Sequence, residues 1–228
     1  MNRKLLLPTS LLIVSTLPVA CTSGSKNHQK TDIPPSTVVE ATMKTYVYHC
    51  DNDYKFVARI EGEKVWLFLP EQTIRLPHTP SASGAKFHDK SSTFWSKGQE
   101  AYLKVNNKIY QGCKNNRSKA IWEHAKLNGV DFRAVGNEPG WHLEIMNQNR
   151  IVLTTDYGQS HYIFKAPDPV INKPASSARY TMQNELHKLT VIIKLEQCHD
   201  TMSGQSFDSA VKVILDGVQF NGCGKSLH

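Results

Sequence analysis

The sequence predicts an all-β protein made of two small antiparallel barrels or sandwiches, joined by one helix. Three observations carry this. Short runs rich in β-branched and aromatic residues recur at close spacing and are separated by turn residues. A helical apolar stripe occurs over Lys119 to Leu127, given by Ile121, Trp122, Ala125 and Leu127. The cysteines after Cys21 group as Cys50 with Cys113 and Cys198 with Cys223, one pair for each run of strands.

The first run of strands lies within residues 45–114. Tyr46 to Cys50 and Tyr54 to Ile60 read as strands, and Glu61-Gly62-Glu63 as the turn after them. Lys64 to Leu69 is a further strand, stopped by Pro70. Pro77 and Pro80 exclude helix and pin the chain before Ser81. Asn106-Asn107 separates Glu100 to Val105 from Lys108 to Tyr110 as a tight hairpin. About seventy residues build only a small core, so a covalent staple is expected.

The second run occupies residues 115–228 and opens with the helix, which Asn116 or Ser118 can cap and Asn128-Gly129 closes. Its strands read as His142 to Met146, Arg150 to Thr155, His161 to Phe164, Arg179 to Met182, Leu189 to Leu195, Ala210 to Leu215 and Val218 to Phe220. Asp216-Gly217 marks a hairpin, and Ala166 to Ser177 a proline-bearing loop.

The amino-terminal end reads as an address. Arg3 and Lys4 precede an apolar stretch from Leu5 to Leu17 that is short for a membrane span. Leu17-Pro18-Val19-Ala20-Cys21 then reads as a lipoprotein cleavage site, with residues 1–20 removed and Cys21 acylated. An ordinary signal peptide with an incidental cysteine is the alternative. Thr22, rather than an aspartate, follows the cysteine, which favours the outer membrane, facing the periplasm. Residues 21–44 are polar and proline-bearing and read as a tether with a reach of roughly 25 Å.

An exported chain meets an oxidising space, so the four remaining cysteines are expected as disulfides. Three pairings are possible, and sequence grouping favours Cys50–Cys113 and Cys198–Cys223. A zinc site fits poorly, because Cys-x-x-Cys and tight Cys/His clusters are missing from the sequence. No cofactor is expected. The net charge is +7. Residues 1–44 hold five Lys/Arg against two Asp/Glu, residues 45–113 nine against seven, and residues 115–228 twelve against eleven. Basicity this dispersed argues against nucleic acid as a partner.

Between the strands lies a small, polar stretch, Ser81-Ala82-Ser83-Gly84-Ala85-Lys86-Phe87, followed by Phe94-Trp95-Ser96-Lys97-Gly98. Taken alone, it reads as a surface hairpin loop or as a site offering a hydroxyl and an ammonium to carboxylates. With Tyr48-x-Cys50, Leu76-Pro77, Glu100-Ala101 and Cys113, residues from about Tyr46 to Cys113 resemble the membrane-bound inhibitors of c-type lysozyme. The resemblance implies that Ser83 and Lys97 enter the lysozyme cleft, with Gly84, Phe87 and Trp95 completing the contact. Phe87 stands where that family usually has tyrosine, and Ser92 where an aromatic is common. The resemblance implies c-type lysozyme as the partner and an inhibitor rather than an enzyme, and the cleavage-site reading adds the membrane through a lipid anchor at Cys21. Alternating strand residues require one of Phe94 and Trp95 to point inward.

Residues 136–141 and 198–204 resemble an uncharacterised family of envelope proteins marked by Gly-Asn-Glu-Pro-x-Trp and Cys-x-Asp-x-Met-Ser-Gly. That resemblance implies a fold and no activity. Glu138, His199, Asp200 and Ser203 are candidate catalytic groups, although both segments equally suit turns. Two rivals to inhibition therefore stand: an accessory module binding peptidoglycan or an envelope protein, and an enzyme sited in the second part.

Overall fold

Alternation of apolar and polar residues dictates the first half of the computed structural model, which describes residues 43–147 and 149–228. The proposed signal segment, Cys21 and nearly all of the tether lie outside the described residues. Eight strands, β1 (Lys44–His49), β2 (Lys55–Glu61), β3 (Lys64–Phe68), β4 (Thr73–Thr79), β5 (Ala85–His88), β6 (Ser92–Lys97), β7 (Glu100–Val105) and β8 (Lys108–Asn115), close an antiparallel barrel, with β1 paired to β8. Every second side chain points inward, so Tyr48, Phe56, Leu67, Leu76, Phe94 and Leu103 form its core. Closure leaves no edge strand to template aggregation. β4 runs through Pro77 to Thr79 rather than ending at the proline; Pro77 is exposed opposite Lys64, and the bond back toward β3 is made by the next N–H, from His78 to the Glu63 carbonyl at 2.8 Å.

Cys50, just after β1, is bonded to Cys113 in β8, and Cys113 is fully buried. A helix, α1 (Arg117–Leu127), follows β8. Its cap is Asn116, whose side-chain oxygen accepts from the Lys119 N–H at 3.0 Å.

The second half comprises β9 (Val130–Asn137), β10 (Gly140–Met146), β11 (Arg150–Thr155), β12 (Ser160–Lys165), β13 (Val170–Asn172), β14 (Ser177–Gln183), β15 (Lys188–Lys194), the short pair β16 (Cys198–His199) and β17 (Ser206–Phe207), then β18 (Ser209–Leu215) and β19 (Val218–Ser226). Nine of these form an antiparallel sheet in the order β12-β11-β10-β9-β19-β18-β15-β14-β13. It encloses a separate core of Trp141, Leu143, Leu153, Val191, Val213 and their neighbours. Two all-β parts and one helix therefore stand as the sequence predicts.

Besides β9, β16 and β17, which the sequence did not mark as strands, two elements differ from expectation. β13 lies inside the proline-bearing segment, as an exposed three-residue edge strand. β19 continues well past Phe220, through Gly222 and Gly224. Those glycines are the reason: a Cβ at Gly222 would strike the Val135 carbonyl and the Trp141 ring, and one at Gly224 would strike Phe132. Lacking side chains, they let β19 pair with β18 and β9 at once beneath the indole. Cys198 is bonded to Cys223 of this strand.

The described residues form one compact unit, in which α1 packs on both β1 and β9. Its Trp122 stacks near Phe207 at 5.2 Å, under the Arg133 guanidinium and the Lys225 ammonium.

Candidate functional site

The β5–β6 hairpin presents the loop and the lysine together. At its tight end, Asp89 accepts from the Ser91 and Ser92 N–H groups at 2.8 and 2.7 Å, and the Ser91 N–H leads in holding its carboxyl below the usual range. This turn sets the register His88↔Thr93, Phe87↔Phe94, Lys86↔Trp95 and Ala85↔Ser96. The next residues outward are Gly84 and Lys97, so the loop end and the lysine emerge at one end of the hairpin. Trp95 and Lys97, two residues apart, share its outer face.

Four contacts shape the loop. The Trp95 indole Nε1 donates to the Ser83 carbonyl at 2.8 Å. The Ser81 hydroxyl lies 3.2 Å from the same carbonyl and 3.1 Å from that of Gly84. Gly84 has φ +72°, and a Cβ there would run into the Ser96 carbonyl, so the backbone is pressed on β6 where only glycine fits. The loop carbonyls are thus occupied, while the Ser83 hydroxyl and the Lys97 ammonium have no hydrogen-bond or ion-pair partner among the described residues. Ser83 is half-buried and Lys97 exposed. Gly98, at φ +61°, turns the chain directly after the lysine.

The aromatic residues divide. Trp95 is 41% exposed, on a face shared with its cross-strand neighbours Lys86 and Tyr102. Phe87 is 1% exposed and sits with Phe94 and Leu103 in the inward row. It stacks on Phe94 at 6.1 Å and meets His78 edge-on at 5.4 Å. This corrects the expectation that Phe87 touches a partner: the strand period turns it into the barrel, and losing a tyrosine hydroxyl there suits a dry core. Ser81 is the residue that sequence reasoning passed over. Its signal is a serine two and three residues ahead of the carbonyls it bonds, a hydroxyl-stabilised turn.

In the second part, the suspected catalytic cluster is a turn. The Asp200 carboxylate accepts from the Met202 and Ser203 N–H groups, the Ser203 hydroxyl and the Asn137 amide, at 2.6–3.1 Å. Burial opposes its charge, but these donors outweigh it and hold the carboxyl below the usual range. Glu138 is exposed beside Pro139, and His199 is bonded to the Ser206 hydroxyl at 3.0 Å. Among the described residues no group of three or more His, Cys, Asp or Glu is placed to hold a metal. No helix among them is long and apolar enough to cross a membrane.

Residues 48–111 match the family model described as membrane-bound lysozyme-inhibitor of c-type lysozyme. The match covers β2 to β7 entire, with the hairpin at its centre. A membrane-bound lysozyme inhibitor of C-type lysozyme from Yersinia enterocolitica serotype O:8 / biotype 1B is 34% identical over 74 residues, which are 32% of this chain and 63% of that protein. The chain thus spans under two thirds of that relative, and residues 112–228 fall outside the family-model match. No solved structure matches the chain.

Proposed function

We propose that this chain is a lipid-anchored inhibitor of c-type lysozyme, which inserts the Ser83-Gly84 loop and Lys97 into the enzyme's cleft. A c-type lysozyme acts with two carboxyl groups, one protonated and one ionised. An effective plug must reach between the cleft walls and give both groups a partner. A serine hydroxyl donates and accepts, so it suits either carboxyl state. An ammonium brings three donors and a charge that suits the ionised one. Each charge-assisted bond contributes about 1.5–3 kcal/mol when buried, and the exposed Trp95 ring supplies apolar area beside them.

The observation that carries this reading is the pairing of an unengaged hydroxyl with an unengaged ammonium around one indole, inside the segment that matches the inhibitor family. The chain is then a binding protein and not an enzyme. Residues 45–114 are the inhibitory part, and residues 115–228 an accessory part. Acylation at Cys21 holds it at the outer membrane, facing the periplasm. Titration of the full chain against a c-type lysozyme tests the reading, with a g-type lysozyme as control. The double variant Ser83→Ala, Lys97→Ala is expected to inhibit at least about tenfold less while keeping its unfolding midpoint. Full inhibition by the folded double variant would remove the assignment.

A further inference from the structure

Arg59 Nη1, Asn128 Oδ1 and Arg133 Nε are buried, and none finds a hydrogen-bond partner among the described residues. Native interiors leave few such atoms, so a cluster of them calls for a cause. Asn128 and Arg133 line one cavity between α1 and the two sheets, and Arg59 neighbours its Met43 and Thr45. A cavity of about 660 Å³ opens there, lined in part by Met43, Thr45, His124, Asn128, Arg133 and Glu144. Arg59 is not itself a lining residue but adjoins two that are: it faces Thr45 across the β1–β2 ladder, and its Nη2 lies 2.7 Å from the Met43 sulfur.

Each guanidinium has already spent one edge. Arg59 Nε donates to Glu61 at 2.8 Å, and Arg133 Nη1 donates to Glu144. Both residues are 8% exposed, so the remaining N–H groups are shut away from bulk water. The rim adds Lys44 and Arg117, and Glu144 is the one carboxylate among the lining residues. His124 feels the charge of both arginines, with its Nδ1 3.0 Å from the Thr45 hydroxyl and its Nε2 3.0 Å from the Asn128 amide. Burial, then Arg59, pushes its pKa down, so it adds no charge at neutral pH.

We propose that this cavity binds a small oxyanion, a carboxylate or phosphate group, held by Arg133 Nε and Arg59 Nη1. Charged acceptors form the stronger bonds to guanidinium N–H groups, and the surplus of positive side chains favours a negative guest. The Asn128 amide, turned over, adds a third donor. Such a guest bridges β2 of the barrel and β9 of the sheet.

The test uses the full chain, with the arginine Nε–Hε signals followed by NMR. Sodium phosphate and sodium acetate are titrated separately, at ionic strength held constant with chloride. Phosphate or acetate is expected to move the Arg133 signal saturably. The same anion should raise the unfolding midpoint by about 5–10 °C at hundredfold excess over its dissociation constant. Response to phosphate alone identifies a phosphoryl guest, and response to acetate a carboxylate; either supports the site. Arg133→Lys and Arg59→Lys, each keeping a charge but losing the fork, should lose the midpoint shift. No saturable movement of the wild-type Arg133 signal, or a midpoint shift that survives in both variants, overturns the proposal.

Discussion

At the scale of single residues, Trp95 has two separable roles in the candidate site. Its ring offers exposed apolar area, and its N–H fixes the Ser83 carbonyl. Trp95→Phe removes the second and keeps an aromatic ring, though a smaller one, for the first. A net hydrogen bond contributes about 0.5–1.5 kcal/mol, so a loosened loop is expected to weaken lysozyme inhibition about two- to tenfold. The bond is exposed, so the unfolding midpoint should scarcely move. Inhibition constants measured beside thermal unfolding check this; unchanged inhibition would reduce the indole N–H to a bystander. Phe87 teaches the opposite lesson. Its place in the motif suggested contact with a partner, yet the register Phe87↔Phe94 puts it in the core. Alternation decided the matter. It was legible for Phe94 and Trp95, adjacent in one strand, but not for Phe87, whose register depends on the Asp89 turn. Ser83 and Lys97 were legible only as motif members, since their shared end of the hairpin comes from the same register.

At the scale of elements, what could be read depended on side chains that announce their period. Strands such as Lys64–Phe68 and Arg150–Thr155 are flagged by β-branched and aromatic residues, and α1 by its cap; of its expected stripe Ala125 is buried while Ile121 is exposed. β13 and the far half of β19 were hidden. A three-residue edge strand among prolines has no room to show alternation, and glycines that open space for Trp141 look like turn formers. The cysteine grouping, by contrast, follows from closure: Cys50 and Cys113 lie where the first and last barrel strands meet. The span between them is 63 residues, so the chain-entropy model assigns the bond roughly 4 kcal/mol. Cys50→Ala with Cys113→Ala should therefore lower barrel stability by several kcal/mol in urea unfolding. An unchanged transition midpoint would show that the apolar core suffices without the staple.

At the scale of the whole molecule, the junction built on α1 couples the two parts and should respond to acid. Two histidines face it, His124 from the helix and His142 from β10. Burial is the leading cause of the lowered pKa of both; Arg59 and Arg133 add to it for His124, Arg133 and His161 for His142, and Glu144 opposes it for each. Lys44 and Arg117 also face the cavity and disfavour a further positive charge. A lowered folded-state pKa means that the unfolded chain takes up protons first. The stabilising contribution is then complete above the ordinary histidine value of 6.5 and falls away as the pH drops from there through the folded-state values. Asp89 and Asp200, both held below their ordinary value of 3.8, lose their contributions only beneath it, whereas the histidine response begins at 6.5. Thermal unfolding between pH 7.5 and 5 should show the midpoint falling with acidity. His124→Gln, which cannot gain the proton but can still meet Thr45, should flatten that fall. A variant whose midpoint tracks the wild type across the whole range would place the acid response elsewhere, and would leave the helix junction indifferent to pH.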